Sequence, residues 1–144
     1  MEATRAAFVD LLTAIPAAVW DARAIGSAWT VRQEMWHIAW GLGFLVGAIR
    51  NARKGRGIPP LPMQLVDPLN ALYARLAARA STPESILKRY NANHQAALAQ
   101  LDAMTDSSWH SRVRVLGKTQ DLQDLMHSPA HHFEEHSARI RPLV

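Results

Sequence analysis

The sequence predicts an all-α fold, a four-helix bundle with a long crossover that carries a short extra helix. Three observations predict it. Ala, Leu, Arg and Gln dominate, and apolar residues recur at intervals of three and four rather than two. Polar helix-start signatures precede the long periodic stretches. Strand signals are nearly absent, with residues 112–116 the only extended candidate. At 144 residues the chain is long enough to bury a core without disulfides, and one domain over residues 1–144 is expected.

The first helix is expected over residues 3–15, burying Phe8, Leu11, Leu12 and Ile15, with Pro16 closing or kinking it. A connecting segment follows to Trp29. The second helix has the clearest start, because Thr30 with Gln33 fits a capping box in which each side chain satisfies the other residue's free backbone N–H. It should continue to residue 53. Val31, Met35, Ile38, Leu42, Leu45 and Ile49 form its core stripe, while Trp36, Trp40, Phe44 and Val46 make its other faces apolar. Such a helix is either central or covered by a second subunit. Gly41, Gly43 and Gly47 permit close approach of another helix, within the monomer or across a dimer face.

Residues 55–68 contain two glycines and four prolines and read as a long crossover lying over the bundle. A short third helix is expected to begin at Asp67, with Pro68 in its first turn and Leu69, Leu72, Tyr73 and Leu76 as its apolar positions. Ser81-Thr82-Pro83-Glu84 carries a second capping signature and opens a fourth helix that buries Ile86, Tyr90, Ala97, Leu101 and Met104, with His94 on the same stripe. A loop with Trp109 and Gly117 leads to the last helix, residues 119–141, which Pro129 kinks or divides.

Composition excludes several function classes. The chain has no cysteine, so thiolate metal ligands, a disulfide framework and a cysteine nucleophile are ruled out. The opening MEATRAAFVDLLTAI mixes acids and an arginine into its apolar positions, unlike a secretory signal. The most apolar stretch, residues 35–49, is interrupted by His37 and three glycines. It is shorter than the roughly 20 residues that span a bilayer. A cytoplasmic protein without a membrane partner is expected. Net charge is +4, and the concentration at Arg50, Arg53, Lys54 and Arg56 complements a helix C-terminus, so no nucleic-acid partner is expected either.

The chemistry lies in the histidines. There are seven, and His127, His131, His132 and His136 fall within ten positions. Residues four apart on a helix lie one above the other, so both imidazoles of such a pair can reach one ion. His127 with His131 and His132 with His136 both qualify. The second pair lies on the continuous part of the last helix, whereas the first straddles Ser128-Pro129. His37 is the polar exception in an apolar run, and a buried imidazole must be bonded or ligated. It is therefore a candidate third ligand, or else a core histidine bonded to a carbonyl or to Tyr90.

The segment Trp29-Thr30-Val31-Arg32-Gln33-Glu34-Met35-Trp36-His37-Ile38-Ala39 resembles the W-[ST]-V-x-x-x-x-x-H-[LI]-x signature of the DinB/YfiT superfamily. The run His132-Phe133-Glu134-Glu135-His136-Ser137-Ala138-Arg139-Ile140 resembles its closing H-x-x-x-H-x-x-x-I motif. Between them, residues 67–72 and 82–109 resemble the family's short third helix and its long helix ending in a tryptophan. The resemblance implies a four-helix bundle, commonly a homodimer, in which His37, His132 and His136 hold a divalent ion with an open position. It also implies membership among thiol-dependent S-transferases and isomerases that use mycothiol, bacillithiol or glutathione, alongside members of unknown activity. The sequence departs from the pattern at Ala39-Trp40-Gly41-Leu42, where many relatives carry an acid.

Three neutral imidazoles leave an ion such as Zn²⁺ a spare position, the arrangement of a catalytic site. The expected cofactor is a divalent metal, Zn or Ni ahead of Mn or Fe, with a low-molecular-weight thiol as cosubstrate. The expected function is a metal-dependent S-transferase or isomerase acting on a small electrophilic molecule. The alternatives are a metal-dependent hydrolase and a non-catalytic stress-response or binding module. Glu34, His94 and Tyr90 are candidates to orient the ligands, although Glu34 also suits a solvated first turn and Tyr90 a core aromatic. His127 and His131 read as surface or rim residues and His110 as a loop residue. Trp36, Trp40 and Trp109 could line an apolar pocket.

Overall fold

A computed structural model describes residues 1–54, 56, 63–115 and 118–144. Helix α1 spans Glu2–Ala14 and buries Phe8, Leu11 and Leu12. Ile15 is extended and leads into Pro16, where the helix has ended as expected. After a short 3₁₀ turn, Ala17–Val19, the chain reaches the start of α2, Val31–Arg53. Both halves of its capping box are made: the Gln33 N–H donates to Thr30 Oγ1 at 3.3 Å and the Thr30 N–H to Gln33 Oε1 at 3.0 Å.

Helix α2 is central. It packs against α4, Pro83–Asp102, and α6, Leu122–Ser137, and less extensively against α3, Met63–Ala78. Phe8, Val31, Met35, Ile38, Ile86, Tyr90 and Phe133 join α1, α2, α4 and α6 in the main core. Phe8 lies face to face with Tyr90 at 3.8 Å between ring centroids. A second cluster, including Leu45, Ile49, Val113, Leu122 and Leu125, closes the other end of α2. At α4 the reciprocal capping partner of Thr82 is Ser85, whose Oγ accepts from the Thr82 N–H at 2.9 Å.

Three expectations are corrected. Helix α3 is not short and does not start at Asp67: it has 16 residues from Met63, and Pro68 lies inside it. The carbonyl that Pro68 leaves without a donor belongs to exposed Gln64, where water can serve it. Of the crossover, residue 55 and residues 57–62 lie outside the described residues. Next, the extended candidate is real but is half of a hairpin, β1 (Arg112–Val115) paired antiparallel with β2 (Lys118–Asp121). In β1 the valines are buried and the arginines exposed. The second strand, Lys-Thr-Gln-Asp, has no apolar alternation to reveal it. Leu116 and Gly117 of this segment lie outside the described residues. Finally, the last helix starts at Leu122 rather than at residue 119, and it runs through Pro129. A four-residue helix α5, Asp106–Trp109, precedes the hairpin, and a 3₁₀ turn, Arg141–Leu143, ends the chain. Among the described residues no helix is long and apolar enough to cross a membrane.

Candidate metal centre

His37 projects from the second turn of α2 toward His132 and His136, one turn apart on α6. One ring nitrogen from each of the three lies within 4.8 Å of the others. His37 Nε2 and His132 Nε2 are 3.1 Å apart, and the rings of His132 and His136 are 4.5 Å apart between centroids. His37 and His136 are buried and His132 is half-buried. The partner of His37 is thus another histidine, not a carbonyl or Tyr90.

Behind these rings lies Glu34, fully buried one turn before His37 on α2. Its Oε2 is 2.5 Å from His136 Nδ1, and its Oε1 accepts from the Ser27 hydroxyl at 2.5 Å. The guanidinium of Arg139 approaches Oε1 at 3.7 Å. A carboxylate can only accept here, so the hydrogen of this bond sits on His136 Nδ1, and Nε2 is the nitrogen that stays clear of it. Ser27 Oγ in turn accepts from the Trp29 N–H at 3.0 Å. The Trp29 indole then lies parallel to His136 at 5.9 Å and edge-on to His37 at 4.7 Å. The loop before α2 therefore closes one side of the cluster.

Burial governs protonation. Desolvation, reinforced by His132, His136 and Arg139, lowers the His37 pKa from 6.5 to about 3. Desolvation is also the first cause for His132, ahead of the neighbouring His136, and lowers it to about 4. Both rings are neutral at pH 7, as metal ligands must be. In the unfolded chain the same rings take up protons near pH 6.5. Below that pH the unfolded state binds more protons than the folded one, so stability is lost as pH falls. Urea midpoints of metal-free protein should drop steadily between pH 6.5 and about 4. The double variant His37→Ala/His132→Ala should show a shallower decline. Parallel profiles would count against this account.

Glycine at position 41 makes room for His132. A Cβ there would lie 2.6 Å from His132 Cε1 and 3.2 Å from its Nδ1. Gly43 similarly accommodates Asn93, which donates to the Ala39 carbonyl at 2.8 Å, whereas Gly47 has nothing near it. Two of the three glycines thus serve packing within the monomer. Gly41→Ala should push the imidazole of residue 132 aside and weaken metal binding by about 10-fold or more, the scale of a displaced supporting contact. Isothermal titration with Zn²⁺ reads this, with circular dichroism to confirm an intact helix. Unchanged affinity would show that the ring relaxes freely.

The cluster opens into a cavity of about 660 Å³ bounded by α2, α3, the hairpin, α4 and α6. Trp40 lines it, but Trp36 is a core residue and Trp109 packs on the second cluster. Tyr90 also lines it, and burial pushes its phenol up to about 12, so it remains protonated. His94 does neither job: it is buried away from the cavity with both ring nitrogens lacking a hydrogen bond. Glu2 Oε1 is its nearest acid, 3.4 Å from Nε2. His110, His127 and His131 are exposed. Sequence reasoning named Glu34 but favoured a solvated role for it, and missed Ser27, Trp29 and Arg139. A readable signal existed for Glu34, three residues before His37 on the same helix face, whereas Arg139 lies in the turn just after α6.

Comparison with known proteins agrees with this architecture. No curated protein matches the sequence. Two solved structures of mycothiol-dependent maleylpyruvate isomerase share the fold, one of them a histidine-to-alanine mutant. Each has a TM-score of 0.76, at 12% and 11% identity respectively. Each alignment covers 96% of this chain but 57% of the isomerase, so the chain spans little more than half that enzyme's length. The family model of the DinB superfamily matches residues 1–140. With helix order, capped α2 and the paired ends of α2 and α6 all in place, the chain belongs to the DinB superfamily.

Proposed function

We propose that this protein is a divalent-metal-dependent enzyme of the thiol-dependent S-transferase or isomerase type, with His37, His132 and His136 as ligands and a small electrophilic molecule as substrate. The observation that carries the reading is the convergence of three imidazole nitrogens within 4.8 Å at the floor of a cavity, with no acid among them. The donor set fits Zn²⁺ or Ni²⁺ better than the harder Mn²⁺ or Fe²⁺, because every donor is a neutral nitrogen. When bound, the ion would lower the pKa of a thiol or water and supply a nucleophile near neutral pH.

The chain's own residues do the rest. Glu34 fixes the tautomer of His136 and offsets the charge a dication brings. Trp29 and Trp40 shield the rings from bulk water on two sides. Gly41 leaves space for His132 to turn inward. Since the chain has no cysteine, a thiol has to arrive as a low-molecular-weight cosubstrate. The isomerase with the same fold is named for its dependence on such a thiol, which favours thiol over water.

The test combines metal analysis with a substrate screen. Purified protein should hold about one equivalent of Zn or Ni per chain. Turnover should then require an added thiol and an electrophile together. Hydrolysis of esters or amides without thiol would replace this reading with a hydrolase. Function that survives His37→Ala would replace it with a non-catalytic module.

We further propose a cytoplasmic homodimer. Leu65, Leu69, Leu72, Tyr73 and Leu76 are all exposed on α3 at helical spacing, an apolar stripe of the kind that marks an interaction surface. Light scattering should give about twice 16.0 kDa. A monomer at all concentrations, with Leu72→Glu and Leu76→Glu behaving as wild type, would remove this surface from the account.

A further inference from the structure

The walls of the cavity carry a second message, one that rests on the reading of the site just given but concerns what enters it. Among the described residues, none of the lining side chains is Lys, Arg, Asp or Glu. The walls are chiefly hydrocarbon and indole, with Trp40, Phe44, Leu69 and Leu125 facing the space above the imidazoles. Polar contact is confined to neutral groups, notably the amides of Asn70 and Gln120 and the hydroxyl of Ser128. These come from three separate elements, α3, β2 and α6, and give a ligand hydrogen bonds without charge.

A carboxylate or phosphate moved from water against these described wall residues loses its hydration and finds no cation among them to replace it, the ion of the reading above being taken up by the thiol sulfur. An aromatic or branched-alkyl body loses nothing by the same transfer and gains from burial. The space also matches the 300–1,000 Å³ typical of small-molecule sites. From these features we infer that the electrophile taken by this site is an uncharged, largely apolar molecule, an aromatic or alkyl compound with one neutral polar group, and not an organic acid or phosphate ester. The polar body of a thiol cosubstrate then stays toward the mouth, with its sulfur reaching inward.

A matched pair of probes tests this. One is the neutral enone 4-phenylbut-3-en-2-one, and the other is its analogue with a carboxylate on the ring. Binding is read by quenching of tryptophan emission and by equilibrium dialysis. Both are measured first on chelator-treated protein, so that no ion can draw the carboxylate in, and then on protein loaded with Zn²⁺. The metal-free protein should prefer the neutral probe by about tenfold or more, the cost of leaving a charge unpaired. Gln120→Arg, on a half-buried strand position outside the imidazole cluster, should narrow or reverse that preference by giving the carboxylate a partner. Equal or tighter binding of the carboxylate by wild type overturns the inference. An unchanged preference in Gln120→Arg overturns its assignment to this cavity. Failure of the protein to bind Zn²⁺ would instead overturn the metal reading, while the metal-free comparison would still decide the ligand class.

Discussion

Glu34→Ala is expected to lower the unfolding free energy of the metal-free protein by about 3–5 kcal/mol, the usual result of breaking a buried charged network from one side. The side chain is wholly enclosed and serves three neighbours at once: His136, Ser27 and, at longer range, Arg139. Its loss leaves the Nδ1–H of His136 and the Ser27 hydroxyl without acceptors in a site that water reaches poorly. It also loosens the loop before α2, since Ser27 Oγ is one of the two hydrogen-bond ties on Trp29, the other being the Ala24 N–H to its carbonyl. Urea denaturation followed by circular dichroism measures the effect. A loss under about 1 kcal/mol would mean that the network is not a significant source of stability. Glu34→Gln keeps the shape and one acceptor, so it should fold well yet bind Zn²⁺ about 10- to 100-fold more weakly, because the neutral amide no longer raises the basicity of His136 or offsets the charge of the ion.

His132→Ala is expected to abolish metal retention. The two remaining imidazoles come from different helices and leave half of a tetrahedral shell to water, so affinity should fall by more than about 100-fold. Elemental analysis after gel filtration, with wild type prepared in parallel, provides the reading. The half-buried position predicts an intact helical spectrum, which separates loss of a ligand from loss of fold. Retention of about one equivalent by the variant would exclude His132 as a ligand and shift attention to Glu34.

Much of this was legible in the chain itself, for reasons that differ by element. The start of α2 was readable because Thr30 and Gln33 are a local pair whose hydrogen bonds need nothing from the rest of the fold. His132 and His136 were readable for the same reason, since helical spacing alone stacks their rings. His37 was not: no local rule links it to residues 95 positions away, and only the motif resemblance did so before the geometry. The true extent of α3 was hidden because Pro68 reads as a helix start, whereas an exposed helix face tolerates it as an interior residue. Strand β2 was hidden because its pairing comes from β1 rather than from its own pattern. The role of Gly41 needed coordinates. A glycine reads alike whether it admits a helix, a side chain or nothing, and α2 contains at least one example of each of the last two.

The network behind the imidazoles also bears on how the protein acquires its site during folding. Glu34 and His136 are 102 residues apart, and His37 and His132 are 95 apart. Contacts that close such long loops bear the full entropy of bringing distant segments together, and they form after the local helices have appeared. The second half of the chain holds two of the three imidazoles and the first half only His37, so neither half contains the complete cluster. A chain still emerging from synthesis would display capped helices long before it could capture an ion. Under the proposed function, metal capture would be coupled to completion of the bundle, and an incompletely folded molecule would have no organised nucleophile with which to react indiscriminately.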